Sequence, residues 1–305
     1  MKKNFFIIIL LVLVSGGKLI AQQDPLYSQY INNPLVINPA YAGLTDNLNM
    51  AVIYRQQWAG FEGSPQTFNF NGHISLLGNK MGGSLMIVSD QIGSTTVNEA
   101  LAGASYRIPL NNELTLSFGL QAGFANYKIN NAKLNPQDPT DPLFEGESNE
   151  FVPQFGAGAI LSNDRFFLGF SMPRMLKNNF NTGTLQSTLY NQHFYAMGSY
   201  IIFLSERIRL RPSALVKVVK GAPLSVDLNA AFIIHENYQV GALTRNGNTY
   251  GLFGQLLWKD KFRLGYVFEI PTGKSVGTQF TSHEITLGMR FNVLSFHSNT
   301  SVFSF

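Results

Sequence analysis

The chain is 305 residues long, with 22 Lys and Arg against 18 Asp and Glu, 28 Gly, 25 Phe, 12 Tyr and no Cys. Charged residues make up 13% of it, about half of the ~25% usual in soluble domains, and the absence of cysteine excludes a disulfide framework and a thiolate metal site. Lys2, Lys3 and Lys18 fall in a predicted export leader, which lowers the basic count from 22 to 19 against 18 acids, so charge gives no support to a nucleic-acid partner.

Residues 1–21 have the three parts of a signal peptide: Lys2 and Lys3, the apolar run Phe5 to Val14, and a small, polar exit to Ala21. That run is too short for the ~20 residues of a membrane-spanning helix. Residues 22–43 read QQDPLYSQYINNPLVINPAYAG. Pro25, Pro34 and Pro39 leave no room for a helical turn through the segment, yet Leu26, Tyr27, Tyr30, Leu35, Val36, Ile37 and Tyr41 are too apolar for a solvated linker. The segment is predicted to pack against a β-barrel built from the rest of the chain, near its periplasmic mouth or inside its lumen.

From residue 44 to 292 the apolar residues recur with period two, as in strands that meet lipid on one face and a polar lumen on the other. In Gln66 to Leu76, Phe68, Phe70, Ile74 and Leu76 alternate with Thr67, Asn69, Asn71, His73 and Ser75. Strands are predicted to start near Leu48, Gln66, Met81, Thr96, Glu113, Phe151, Arg165, Gln192, Ile208, Leu224, Tyr238, Thr249, Lys261 and His283. About fourteen strands make an all-β, antiparallel transmembrane barrel, and an even number returns both ends to the periplasm. Alternate connections are short, and the intervening ones include every long one (58–65, 126–150, 173–191 and 271–282), which sorts periplasmic turns from extracellular loops. Residues 293–305 form a polar tail with no assigned role.

DPLYSQYINNPLVINPAYAG, the hairpin sequence YRQQWAGFEGSPQTF from Tyr54 to Phe68 and the closing SHEITLGMRFN from Ser282 to Asn292 resemble the PorP/SprF family of type IX secretion membrane proteins. The resemblance implies an outer-membrane protein of Bacteroidota-type bacteria, serving type IX secretion or gliding motility. It implies as partners either the periplasmic lipoprotein ring of the machinery or the C-terminal domain of a large secreted adhesin.

The candidate chemistry is sparse. His73 and Ser75 form an H-x-S pair on one strand face, but that face looks into the lumen, away from membrane lipid that an acyl hydrolase would attack. The five histidines have no paired ligand spacing. Asp138, Asp141, Glu145, Glu147 and Glu150 crowd one loop without the regular spacing of a calcium loop. No enzyme, cofactor or metal site is expected. With apolar faces outward, the charges predicted to face the lumen are Arg55, Glu99, Arg107, Arg209, Arg211, Lys217, Asp227, Arg263, Glu269, Glu284 and Arg290. Their basic excess suits an acidic or carbonyl-rich segment, from this chain or from a substrate. Contact with a partner or plug is assigned to Asp24, Tyr30, Asn33, Pro34, Asn38, Pro39 and Tyr41, and, on the first outer loop, to Trp58 and Phe61. The expected function is binding of secretion machinery or anchoring of a secreted surface protein at the outer membrane. The alternatives are a diffusion porin or hydrophobic-compound transporter and, third, a barrel lipid hydrolase, because a barrel does not by itself fix function.

Overall fold

A computed structural model describes residues 27–45, 48–130, 147–176, 178–182, 185–190, 192–273 and 278–291. The predicted leader, Asp24, most of the acidic loop and residues 293–305 lie outside the described residues.

Two short 3-10 turns, η1 (Pro34–Val36) and η2 (Pro39–Tyr41), precede the strands where no helical turn is expected; each starts on a proline, whose missing N–H is not needed at the first position of a turn. The first half of the wall is β1 (Leu48–Gln56), β2 (Gln66–Leu76), β3 (Met81–Ile92), β4 (Thr95–Pro109), β5 (Thr115–Asn130), β6 (Glu147–Ser162) and β7 (Phe166–Met172). A separate hairpin, β8 (Asn178–Thr182) with β9 (Leu185–Tyr190), interrupts it. The wall resumes with β10 (His193–Tyr200), the two-residue β11 (Ile202–Phe203) and β12 (Ile208–Val219). It ends with β13 (Ser225–Ile234), β14 (Tyr238–Arg245), β15 (Thr249–Trp258), β16 (Phe262–Pro271) and β17 (Ser282–Phe291).

Each wall strand pairs antiparallel with its neighbour in sequence, β10 pairs with both β7 and β12, and β1 pairs with β17 from Leu48↔Phe291 to Gln56↔His283. With β8, β9 and β11 set aside, fourteen strands close on themselves. Closure leaves no open edge in hydrocarbon, where unpaired backbone groups are prohibitively costly.

The alternation read from sequence is the alternation of the wall. Along β2, Thr67, Asn69, Asn71, His73 and Ser75 are buried while Phe68 faces out. Two turns at the end where both termini of the sheet lie have left-handed φ at both central residues, His235 (50°) with Glu236 (60°) and Lys259 (53°) with Asp260 (53°). That geometry matches the right-handed twist of the flanking strands. Connections at this end are uniformly short. At the other end the turns at 93–94, 220–224 and 246–248 are short as well, so only some outer connections are long.

Strand starts agree with the sequence to within two residues except at β6, which begins at Glu147 instead of near Phe151. The added residues are polar and sit where the β5–β6 hairpin, each strand 16 residues long, exceeds the ~10 that cross a membrane. Outside the hydrocarbon, nothing requires an apolar alternation. The β8–β9 hairpin likewise stands where the sequence predicts only a loop.

Candidate functional site: the N-terminal segment inside the barrel

Residues 27–45 lie in the lumen, buried throughout except for the half-buried Leu44. The local chemistry explains their path. Pro34 and Pro39 each occupy the first position of a 3-10 turn, where no N–H is needed, after Asn33 and Asn38. Asn38 Oδ1 accepts the Ala40 N–H at 3.0 Å, a side-chain cap. The turns set Tyr30, Ile31, Leu35, Ile37 and Tyr41 against inward-facing Ile53, Ile160, Phe167, Tyr195, Met197 and Leu215, so the apolar core of this protein lies inside the barrel.

The polar lumen face serves the segment's backbone. Three serines on different strands donate to its carbonyls: Ser171 to Ile37 (2.6 Å), Ser117 to Ala40 (2.7 Å) and Ser105 to Ala42 (2.6 Å). A chain of amides runs from Asn33 to Asn71 (2.9 Å), from Asn71 to Asn69 (2.6 Å) and from Asn69 to the Tyr27 hydroxyl (3.1 Å). Each such bond contributes about 0.5–1.5 kcal/mol, and a buried carbonyl left without one costs about 1–3 kcal/mol. Close approach also requires bare wall: a Cβ at Gly119 would stand 2.2 Å from the Ala40 nitrogen.

One ionic cluster clamps the start of the segment. Arg55 on β1 reaches Glu269 on β16 at 2.6 Å and Glu284 on β17 at 3.2 Å. Glu284 accepts the backbone N–H groups of Ser28 (2.7 Å) and Gln29 (2.9 Å), while the Ser28 hydroxyl donates to Glu269 (2.5 Å) and accepts from Arg55 (2.7 Å). Arg245 bonds Asp227 at 3.0 Å and approaches Glu269 at 3.7 Å. Three carboxylates thus face two guanidiniums, and the segment's N–H groups supply the remaining donors. Burial pushes the phenols of Tyr27, Tyr30 and Tyr41 above the ordinary tyrosine range, so they remain neutral hydrogen-bonding groups. Tyr30 accepts from Asn229 at 3.1 Å.

Of the charges assigned to the lumen, Arg55, Glu99, Arg107, Arg211, Lys217, Asp227, Glu269 and Glu284 are buried. Arg211 donates to the Asn32 side chain and Arg263 to the Asn32 carbonyl at 3.2 Å. Arg209 and Arg290 sit at the turn-end rim, Arg209 paired with Glu236 and Arg290 donating to the Asp260 carbonyl at 3.2 Å. Tyr30, Asn33, Pro34, Asn38, Pro39 and Tyr41 are all buried in the plug. Trp58 and Phe61 lie apart from them at the loop end, where the Trp58 N–H donates to Ser282 at 3.1 Å and Phe61 packs edge-on against Phe280 at 5.4 Å. His73 Nδ1 accepts the Gly43 N–H at 3.1 Å, and Ser75 accepts from Arg107 at 2.7 Å. Both members of the H-x-S pair therefore hold the plug and wall in place. Among the described residues no group of three His, Cys, Asp or Glu could hold a metal ion.

Two further ion-paired cations of the lumen side, Arg174, which pairs with Glu99 at 2.6 Å, and Arg245, which pairs with Asp227, are absent from the charges assigned by sequence. Continuing the period-two register of β14 by one pair from Leu243 would have turned Arg245 inward. Arg174 lies past the strand end at Met172, where no period applies.

The model of the family described as type IX secretion system membrane protein PorP/SprF matches residues 19–289. The chain belongs to the PorP/SprF family. As such it is an outer-membrane protein of type IX secretion, and the matched region takes in the plug segment together with nearly the whole PorP/SprF barrel. A search of curated proteins returned no match. Solved structures similar to this PorP/SprF chain include the Pseudomonas putida toluene transporter TodX (10% identity, 88% of this chain and 95% of that one, TM-score 0.49). The Acinetobacter baumannii outer membrane protein Omp33 is another (9%, 81% and 99%, 0.48), as is a Pseudomonas aeruginosa FadL homologue (12%, 85% and 93%, 0.47). At this identity they are barrels of similar kind and carry nothing about function.

Proposed function

We propose that this PorP/SprF protein is a closed barrel that works by binding protein, anchoring a secreted surface protein at its loop end. The observation that carries the reading is the lumen occupied by residues 27–45, since a diffusion porin needs that space for water and solute. The loop end supports it further. There β6 continues from Ala157 up to Glu147 past the end of β7 at Met172, and Phe61 is half exposed beside a hollow of about 410 Å³ lined by Gln56, Glu62, Gln66 and Gln91. Exposed aromatic groups with amides around them suit a polypeptide partner.

The test is a detergent pull-down of the tagged protein from its native outer membrane, with bound proteins identified by mass spectrometry. Recovery of one large surface protein supports the anchor. Recovery of periplasmic ring components instead would move the binding face to the turn end, and a barrel that arrives alone and conducts ions in planar bilayers would return it to the porins.

A further inference from the structure

Two hollows meet across the wall where β1, β16 and β17 run side by side. On the lipid-facing side a groove of about 740 Å³ is lined almost entirely by apolar groups, among them Val52, Leu264, Leu287, Trp258, Phe262 and Met289. On the lumen side, at the turn end, a recess of about 20 Å³ is bordered by Lys261, Arg263 and Arg290 and, among the described residues, by no acidic side chain. The hollows share Met50, Ala51, Arg263 and Met289. The wall between them is thin because Ala51, Gly288 and Arg263 are register partners, and the first two carry almost no side chain.

The rim beside them has the chemistry of a membrane interface. Trp258 is exposed, with the Lys259 ammonium 4.6 Å from its ring centre, the pairing that marks the headgroup level. Asp260, the acid in this turn, is engaged by Asn237 at 3.4 Å, and its backbone carbonyl takes the Arg290 Nε. Against the single carboxylate of Asp260, Lys259, Lys261 and Arg290 leave the described residues of this rim net positive over an apolar groove.

We infer that this is a site for one anionic phospholipid, its acyl chains in the groove and its phosphate on Lys261 and Arg290. Short turns lie on the periplasmic side, so the lipid belongs to the inner leaflet. Charge complementarity selects the occupant: each lysine or arginine near a membrane surface favours an anionic headgroup over a neutral one.

The experiment is native mass spectrometry of the full chain released from micelles containing phosphatidylglycerol and phosphatidylcholine of identical acyl chains. Phosphatidylglycerol should be retained on the order of tenfold over phosphatidylcholine. Lys261→Ala with Arg290→Gln should abolish that preference, and Val52→Trp, which fills the groove, should lower retention of both lipids. Heat-modifiable migration shows that each variant is folded. Equal retention of the two lipids, an undiminished preference in the double variant, or full competition by glycerol phosphate alone would overturn the assignment.

Discussion

The Asn38 side chain occupies the space that a side chain at position 158 would need. A Cβ on Gly158 would stand 2.1 Å from Asn38 Oδ1, while the Asn38 amide nitrogen donates to the carbonyls of Ala159 and Phe170 at 3.2 Å each. One asparagine of the plug thus ties β6 and β7 together at a point where the wall is bare.

Gly158→Ala should destabilise the plug by about 1–3 kcal/mol, the range for overpacking a filled site. In an Asn38→Ala background the same change should cost much less, because the clash has gone. Thermal unfolding in detergent of the four proteins of this cycle measures the coupling, and additive effects would show that the two residues do not compete for space.

Arg55→Met should cost about 3–5 kcal/mol, since it leaves Glu269 and Glu284 buried with their main cation removed. The triple change Arg55→Met, Glu269→Gln, Glu284→Gln should recover part of the loss. The readout is the temperature at which the heat-modified band appears.

Raising the pH should loosen the plug before it opens the barrel. Tyr27, Tyr30 and Tyr41 have pKa values above 10.0 when buried. Below pH 10 both states hold the phenol proton and nothing changes. Above it the released segment ionises and the seated one does not, so stability falls as pH rises. Protease cleavage within residues 27–45 should therefore appear above about pH 10 while the wall strands stay protected.

Planar bilayers give a further check. The intact chain should be electrically silent or nearly so, and a chain lacking residues 27–45 that still shows heat-modifiable migration should conduct. Silent behaviour in both would mean that something other than this segment closes the lumen.

Much of this architecture is local information. Alternation such as Thr67, Asn69, Asn71 against Phe68 and Phe70 needs only the two-residue period of a strand placed between lipid and a polar interior. Prolines at 34 and 39 likewise rule out an α-helix running through the segment without reference to anything distant. These local rules determine the strand number, the outward face and the odd character of the N-terminal segment. They also account for most of the inward charges, and Arg245 escapes them only because its strand ends two residues later than its apolar pattern. Closure decided the rest. Ser28 meets Glu284 across 256 positions and Arg55 meets Glu269 across 214, and Ser105, Ser117 and Ser171 reach successive carbonyls only because β4, β5 and β7 stand nearly side by side in the wall. A polar residue on an inward face has to be satisfied once buried, but its partner is chosen by which backbone the closed barrel brings opposite it, and no local period carries that information.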